Sequence, residues 1–130
     1  MSDGLRFLDD CIGRWAARTP DAEAFRFADQ SLSYADLASQ SDRLARWLYA
    51  KGVRRGDRVG ILQHRCIEMP VAVFAVLKAG AAYVPLDPGA PAARLARCAA
   101  DCGLQVIISH DALHKLVSEI AAAAPSLRTV

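Results

Sequence analysis

No apolar run in this chain reaches the ~20 residues needed to cross a membrane as a helix. The amino terminus, Met1-Ser2-Asp3-Gly4, has no basic head of the kind that opens a secretory signal. A cytoplasmic protein is the expectation. Glycine is sparse and scattered, eight in all, and neither G-x-G-x-x-G nor G-x-x-x-x-G-K-[ST] occurs, so no phosphate-cradling loop is present. No G-x-S-x-G turn presents a serine nucleophile. The acidic residues Asp87, Asp101, Asp111 and Glu119 do not fall at a spacing that pairs two carboxylates for acid/base work. Lysine is rare, three against thirteen arginines, and the formal net charge is only +2. The arginines punctuate helix faces and loops rather than forming a stripe, which argues against nucleic-acid and membrane partners.

Cysteine is equally uninformative as chemistry. Cys11 and Cys66 stand alone, while Cys98 and Cys102 lie four apart on an expected helix. Joined to His110 and His114 they would make a four-ligand set, but C-x3-C and H-x3-H match no standard zinc spacing. Small apolar thiols turned toward the core of a reduced protein are the simpler reading.

With 53% apolar and 23% charged residues in 130, the chain is of globular composition. That length is one domain's worth of chain or less, enough to bury roughly two-thirds of its unfolded surface. Leu5, Leu8, Ile12 and Trp15 recur at helical spacing, so a helix runs from about Leu5 to Arg18, stopped by Pro20, with Asp10 and Arg14 as a solvated pair. Ala24 to Ala28 alternates like a half-buried strand, and Asp29-Gln30 connects it to Ser31-Leu32-Ser33 as a hairpin. Ser33 caps a long helix, Tyr34 to Ala50, with Asp36 completing an acidic capping box and Gly52 at its end. Its stripe is Tyr34, Leu37, Ala38, Leu44, Ala45 and Leu48; Asp36, Gln40, Arg43 and Arg46 are solvated charge and polar surface.

Arg58 to Leu62 is a strand. His64 and Arg65 at its carboxyl end occupy the place where open parallel sheets bind ligands, although strand-capping or solvent-facing side chains also explain them. The helix from about Glu68 to Ala79, through Val71-Ala72-Val73-Phe74-Ala75-Val76-Leu77, is apolar all round and therefore buried on several sides. Pro70 fits only in its first turn. The helix from Ala92 to Asp101, ended by Gly103, turns Leu95, Ala99 and Cys102 inward and Arg94 and Arg97 outward. Gln105 to Ser109 is a strand, Asp111 caps a helix through Ile120, and Leu127 to Val130 opens another strand. Strand and helix alternate from Arg58 onward, which is the α/β class: a parallel sheet with helices on both faces, plus an amino-terminal helix and hairpin, forming a single unit over 1–130.

The chain is organised around Leu77-Lys78-Ala79-Gly80-Ala81-Ala82-Tyr83-Val84-Pro85-Leu86-Asp87-Pro88. A helix ends there with Lys78 suited to the helix dipole and Gly80 at the left-handed C′ position. Ala82 to Leu86 is a strand that Pro85 places at a sheet edge or near the strand end. Asp87-Pro88-Gly89 turns the chain, and Pro91 is pre-set for the first position of the next helix.

This dozen residues resembles the second core motif of amino-acid adenylation domains of non-ribosomal peptide synthetases, within the adenylate-forming, AMP-binding family. Leu32-Ser33-Tyr34-Ala35-Asp36-Leu37 is similar to the family's first core motif. Gly52 to Gly60 and Pro91 to Leu95 match the usual filling, while Cys66 stands where a serine cap is usual. The resemblance covers Leu5 to Val130 and implies the amino-terminal subdomain of the adenylate-forming fold. In the family, the phosphate loop, the carboxylates for ribose and magnesium, and the closing lysine all lie downstream. No catalytic, cofactor-binding or metal residue is therefore carried over; ATP and Mg are implied for a full-length parent only, and this chain is expected to be inactive alone. Implied partners are the rest of the adenylation domain or a self-associated copy, a carrier protein for the parent, and an MbtH-like helper protein near Ala92 to Cys102. Two other readings stay open: a stand-alone non-catalytic binding module, and a fragment of an acyl-CoA or aryl-acid ligase. The apolar helix Val71–Leu77 and a sheet expecting more strands further imply an uncovered surface.

Overall fold

The structure, a computed structural model, describes residues 8–124 and 127–129; at 8–11 and 128–129 it describes the backbone alone. The elements are α1 (Leu8–Arg18), β1 (Glu23–Phe27), β2 (Gln30–Ser33), α2 (Tyr34–Ala50), β3 (Arg58–Leu62), α3 (Met69–Lys78), β4 (Ala82–Leu86), α4 (Ala92–Cys102), β5 (Val106–Ile108), a 3-10 turn (Asp111–Leu113), α5 (His114–Ala123) and β6 (Arg128–Thr129). β1 and β2 form an antiparallel hairpin. The other strands form one parallel sheet in the order β4-β3-β5-β6.

Side-chain alternation along the central strands builds two apolar layers. Val59 and Ile61 of β3 and Val106 and Ile108 of β5 face α2 and α3, where Leu48, Ala72, Ala75 and Val76 close over them. Leu62 and Ile107 face the other way, against Leu95 and Ala99 of α4 and Val117 and Ile120 of α5. Gly60 belongs to that second face. A Cβ there would stand 2.9 Å from Leu104 Cδ1 and 3.1 Å from both Ile107 Cγ1 and Leu86 Cδ1, so a larger residue would have to push these side chains aside. A third cluster, Ile12, Leu32, Leu37, Val71 and Phe74, joins α1 and the hairpin to α2 and α3.

Local chemistry sets the element ends. The Asp36 N–H donates to Ser33 Oγ at 3.1 Å, the expected cap of α2. Gly80 is left-handed at φ 81°, and its carbonyl accepts from the Gly56 N–H at 3.1 Å. Asp87 Oδ1 accepts from the Gly89 N–H at 2.9 Å, a side-chain turn that frees Asp87 from any need of a catalytic explanation. Pro85 does lie on an edge strand.

Several expectations shift. The hairpin turn is Ala28-Asp29, one residue earlier than Asp29-Gln30, since Phe27 pairs with Gln30. Ala28 carries φ 56° there. Trp15 does not join the buried stripe of α1; it is 46% exposed and lies 6.2 Å from the Tyr34 ring. Leu5 lies outside the described residues, and so does the Asp10 side chain of the expected pair with Arg14. Pro91 is the cap of α4 rather than its first residue. β5 is shorter than Gln105–Ser109, and Asp111 begins a 3-10 turn instead of capping α5, because His110 holds the extended cap position. α3 has no side-chain cap; its cap residue is Glu68, not Cys66. Cys98 is exposed rather than turned inward, Cys66 and Cys102 are half-buried, and the Cys11 side chain lies outside the described residues.

Lys78 does more than suit a helix dipole. Its Nζ donates to Asp42 Oδ1 at 2.6 Å, Ser41 Oγ at 2.7 Å and the Ala38 carbonyl at 3.2 Å. Ser41 is fully buried and donates to the Leu37 carbonyl at 2.6 Å. The last turn of α3 is thereby tied to the middle of α2. Among the described residues no helix is long and apolar enough to cross a membrane.

Candidate functional site

In the order β4-β3-β5-β6 the chain steps from β3 to β4 on one side, then returns past β3 to β5 on the other. The segments leaving β3 and β5 head for helices on opposite faces, α3 and α5, and part at the carboxyl ends of those two strands. Such a switch point is the general ligand crevice of open α/β sheets.

One wall is Gln63-His64, the other Ser109-His110-Asp111. The two segments are stitched at the base, where the Ser109 hydroxyl donates to the Leu62 carbonyl at 2.8 Å. Above the stitch the His64 and His110 rings stand 6.0 Å apart between centroids, inclined at 47°. His64 is exposed and His110 half-buried. Beside them a cavity of about 290 Å³ is lined by Ser109, His110, Asp111, His114, Val117 and Ser118, among others. Gln63 is only 7% exposed, and its Oε1 finds no donor among the described residues. An orphaned buried acceptor costs about 1–3 kcal/mol.

This crevice offers hydrogen bonds from two imidazoles and a hydroxyl. It lacks what phosphoryl or acyl chemistry needs: no loop of backbone N–H groups for phosphates and no lysine stand in it. Arg65, the nearest guanidinium in sequence, lines a different surface. Among the described residues no group of three His, Cys, Asp or Glu side chains could hold a metal ion, so Cys98, Cys102, His110 and His114 do not assemble into a site. A magnesium–nucleotide complex does not fit this donor set. Cys66 is not held as a thiolate either. Burial pushes its thiol above the ordinary range, and the Glu68 carboxylate adds to the shift against the N–H groups of Glu68 and Met69.

Of the residues singled out from sequence, His64 reaches the crevice while Arg65 turns away from it. The His64–His110 pairing was not readable, because it depends on β3 and β5 being neighbours. The burial of Gln63 was equally hidden; a polar residue following four apolar strand positions carries no burial signal of its own.

A second surface is apolar. Phe25 and Phe27, 39% and 37% exposed, stand on the hairpin across from Ile67, Met69, Pro70, Val73 and Phe74 and enclose a groove of about 420 Å³. Arg26 and Arg65 lie on its rim. The expected uncovered surface is therefore not the apolar run of α3 as a whole, since Val71, Ala72, Phe74, Ala75 and Val76 are buried. An apolar groove is open between the start of α3 and the hairpin.

The family model of AMP-binding enzymes matches residues 12–130. Bacitracin synthase 2 of Bacillus licheniformis is 40% identical over 106 residues, 82% of this chain and 4% of that protein. Tyrocidine synthase 2 of Brevibacillus parabrevis is 38% identical over 105 residues, 81% of this chain and 3% of that protein. Among solved structures, the AMPPNP-bound form of the nonribosomal peptide synthetase FmoA3 superposes with a TM-score of 0.82 at 33% identity, over 88% of this chain and 12% of that one. The chain thus spans a few per cent of the length of the curated relatives it matches.

Proposed function

The chain belongs to the AMP-binding enzyme family, and on that premise we propose that it serves as the amino-terminal subdomain of an amino-acid adenylation domain. The activity belongs to the whole parent protein: formation of an aminoacyl-adenylate from ATP and an amino acid, then transfer of the acyl group to a carrier-protein thiol. The observation that carries the reading is the junction Leu77–Pro88. It resembles the peptide-synthetase motif in sequence, and in the structure it joins α3, the edge strand β4 and the turn before α4. Tyrocidine synthase 2 and bacitracin synthase 2 are among the relatives of this chain, and FmoA3, which it resembles in structure, is a nonribosomal peptide synthetase, which favours that branch over acyl-CoA and aryl-acid ligases.

The division of labour follows from the side chains. This segment supplies a scaffold: a parallel sheet with both faces covered and a crevice at the carboxyl ends of β3 and β5. ATP and magnesium would be held by parts of the parent outside these residues, because the crevice has neither phosphate loop nor metal-binding cluster. The exposed face of α4, with Arg94, Arg97 and Cys98 outward, is where an MbtH-like helper protein would dock. The setting is the cytoplasm.

Acyl-adenylate formation needs donors aimed at the leaving pyrophosphate and a pocket that aligns the attacking carboxylate. Scattered arginines that bind ATP in its ground state do not lower that barrier. The test is amino-acid-dependent pyrophosphate exchange with the purified 130-residue protein, across the common amino acids and simple aryl acids. No exchange is expected from the chain alone, with activity on supplying the downstream polypeptide of its parent. Exchange by the chain alone that survives repurification overturns the reading.

A further inference from the structure

Cys98 and Cys102 stand one turn apart on α4, and both are free thiols. Residues four apart on a helix share a face, with Cβ atoms about 5–6 Å apart. A disulfide draws its two Cβ atoms to about 3.8 Å, so closing one here requires the last turn of α4 to unwind. That turn is tied against unwinding. Gly103 is a left-handed cap at φ 66°, and its N–H donates to the Ala100 carbonyl at 3.1 Å. The Leu104 N–H donates to the Ala99 carbonyl at 2.9 Å, and the Leu104 side chain is buried. From β3, Arg58 Nη1 donates to the Cys102 carbonyl at 3.3 Å.

A single bridging ion meets no such obstacle. With metal–sulfur bonds of about 2.3 Å, two thiolates on one ion lie about 3.8–4.6 Å apart, against about 2.0 Å for bonded sulfurs. The added length spans neighbouring turns while the helix stays intact. Access favours the same chemistry. Cys98 is exposed and Cys102 half-buried. Cys102 packs at the edge of the apolar layer under α4 and also lines a cavity of about 180 Å³ beside Gly56, Asp57 and Arg58. One thiol is therefore open to solvent and the other is backed by packed structure.

The number of ligands selects the ion. Among the described residues no group of three His, Cys, Asp or Glu side chains could hold a metal ion. A structural zinc takes four protein ligands, and magnesium and calcium take oxygens, so two sulfurs alone suit none of these. Soft thiolate ligands select copper(I), which is satisfied by two sulfurs in line.

We propose that Cys98 and Cys102 form a two-coordinate thiolate site on the outer flank of α4 that takes one copper(I) ion. Two copper–sulfur bonds form, two S–H protons leave to solvent, and neither the metal nor the sulfurs change oxidation state. The site goes beyond the adenylation reading and does not rest on it.

The probe is copper(I) itself, titrated without oxygen into the reduced 130-residue chain against a chromophoric competing chelator. One ion should bind per chain, with two protons released and the ultraviolet absorbance of copper–thiolate charge transfer. Cys98→Ser and Cys102→Ser should each weaken binding by at least about a hundredfold, because the second bond is otherwise made intramolecularly. The double variant Cys11→Ser, Cys66→Ser should bind as the parent chain does. A spacing control separates loss of the site from loss of the fold. Arg97→Cys combined with Cys98→Ser keeps the number of thiols but moves one off the shared face. It should bind as weakly as the single serine variants while its circular dichroism matches that of the parent chain. Binding that survives either single serine variant, that follows Cys11 or Cys66, or that persists in the spacing control would overturn the proposal. An affinity that rises with chain concentration would give the ion to thiols of two chains and overturn it likewise. So would a Cys98–Cys102 disulfide formed by diamide in the folded chain, since the last turn of α4 would then not be held. Pyrophosphate exchange reads none of these outcomes, so failure of either reading leaves the other standing.

Discussion

Gln63 is where local sequence and tertiary environment disagree. It follows a strand that is buried from Val59 to Leu62, and its amide oxygen is enclosed without a donor. Replacing an orphaned acceptor by an apolar group of similar volume removes a desolvation cost without opening a cavity. Gln63→Leu should therefore raise the unfolding free energy of the 130-residue chain by about 1 kcal/mol in a denaturant titration. A loss of stability instead would mean that the amide is satisfied in solution. The cysteines give a second test at this scale. Cys98 is exposed, whereas burial raises the Cys66 thiol above the ordinary range. Alkylation mapped by mass spectrometry should find Cys98 modified well before Cys66 at neutral pH. A raised thiol pKa means that the folded state holds its proton longer than the unfolded chain does. The stability from Cys66 is then fully present below the ordinary thiol range, and it is lost as pH climbs through the raised value.

At the scale of elements, the hairpin turn is the least comfortable piece of backbone. Ala28 has φ 56° and is the only described non-glycine residue with positive φ. With Phe27 paired to Gln30, the two-residue loop has positive φ at its first central position, the type II′ pattern, which glycine fits best. Ala28→Gly should stabilise the chain by about 0.5–1 kcal/mol, since relief of the left-handed strain outweighs the added freedom of the unfolded chain. The measurement is thermal or denaturant unfolding. A destabilised variant would place the turn in another conformation. α2 and α3 illustrate the opposite case, in which the sequence and the packing agree. Ser33 caps α2 as its position suggests, and the all-apolar α3 is buried along most of its length. The contact between them is still not a purely apolar one. Lys78 crosses to Asp42 and the buried Ser41, which fixes the axial offset of the two helices in a way apolar side chains alone would not.

For the molecule as a whole, the parallel sheet has apolar layers on both faces, while the hairpin side keeps an open groove. The 130-residue chain should bind an environment-sensitive apolar dye, and Phe27→Ser should remove most of the signal. Because Phe27 is 37% exposed and buries the rest of its surface, that substitution should cost about 1–2 kcal/mol, and an unfolding curve of the variant separates dye loss from unfolding. Undiminished dye binding in Phe27→Ser would place the open apolar surface elsewhere, for instance along the sheet edge beyond β6.

The succession of elements was legible from residue order alone. Helical spacing, the Ser33 cap, the glycines at 52, 80 and 103, and the Asp87-Pro88-Gly89 turn are local signals, and each acts through the backbone within a few residues of itself. They placed α2, β3 and β4 at the bounds the structure shows, and the motif resemblance marked the family before any coordinates did. Which strands are neighbours was a matter for three-dimensional packing. The order β4-β3-β5-β6 brings His64 to His110, and the packing of the hairpin against the start of α3 leaves Phe25 and Phe27 facing an open groove. Contacts of this kind join residues far apart along the chain, and periodicity carries no information about them; they are set by how the faces of the elements pack against one another.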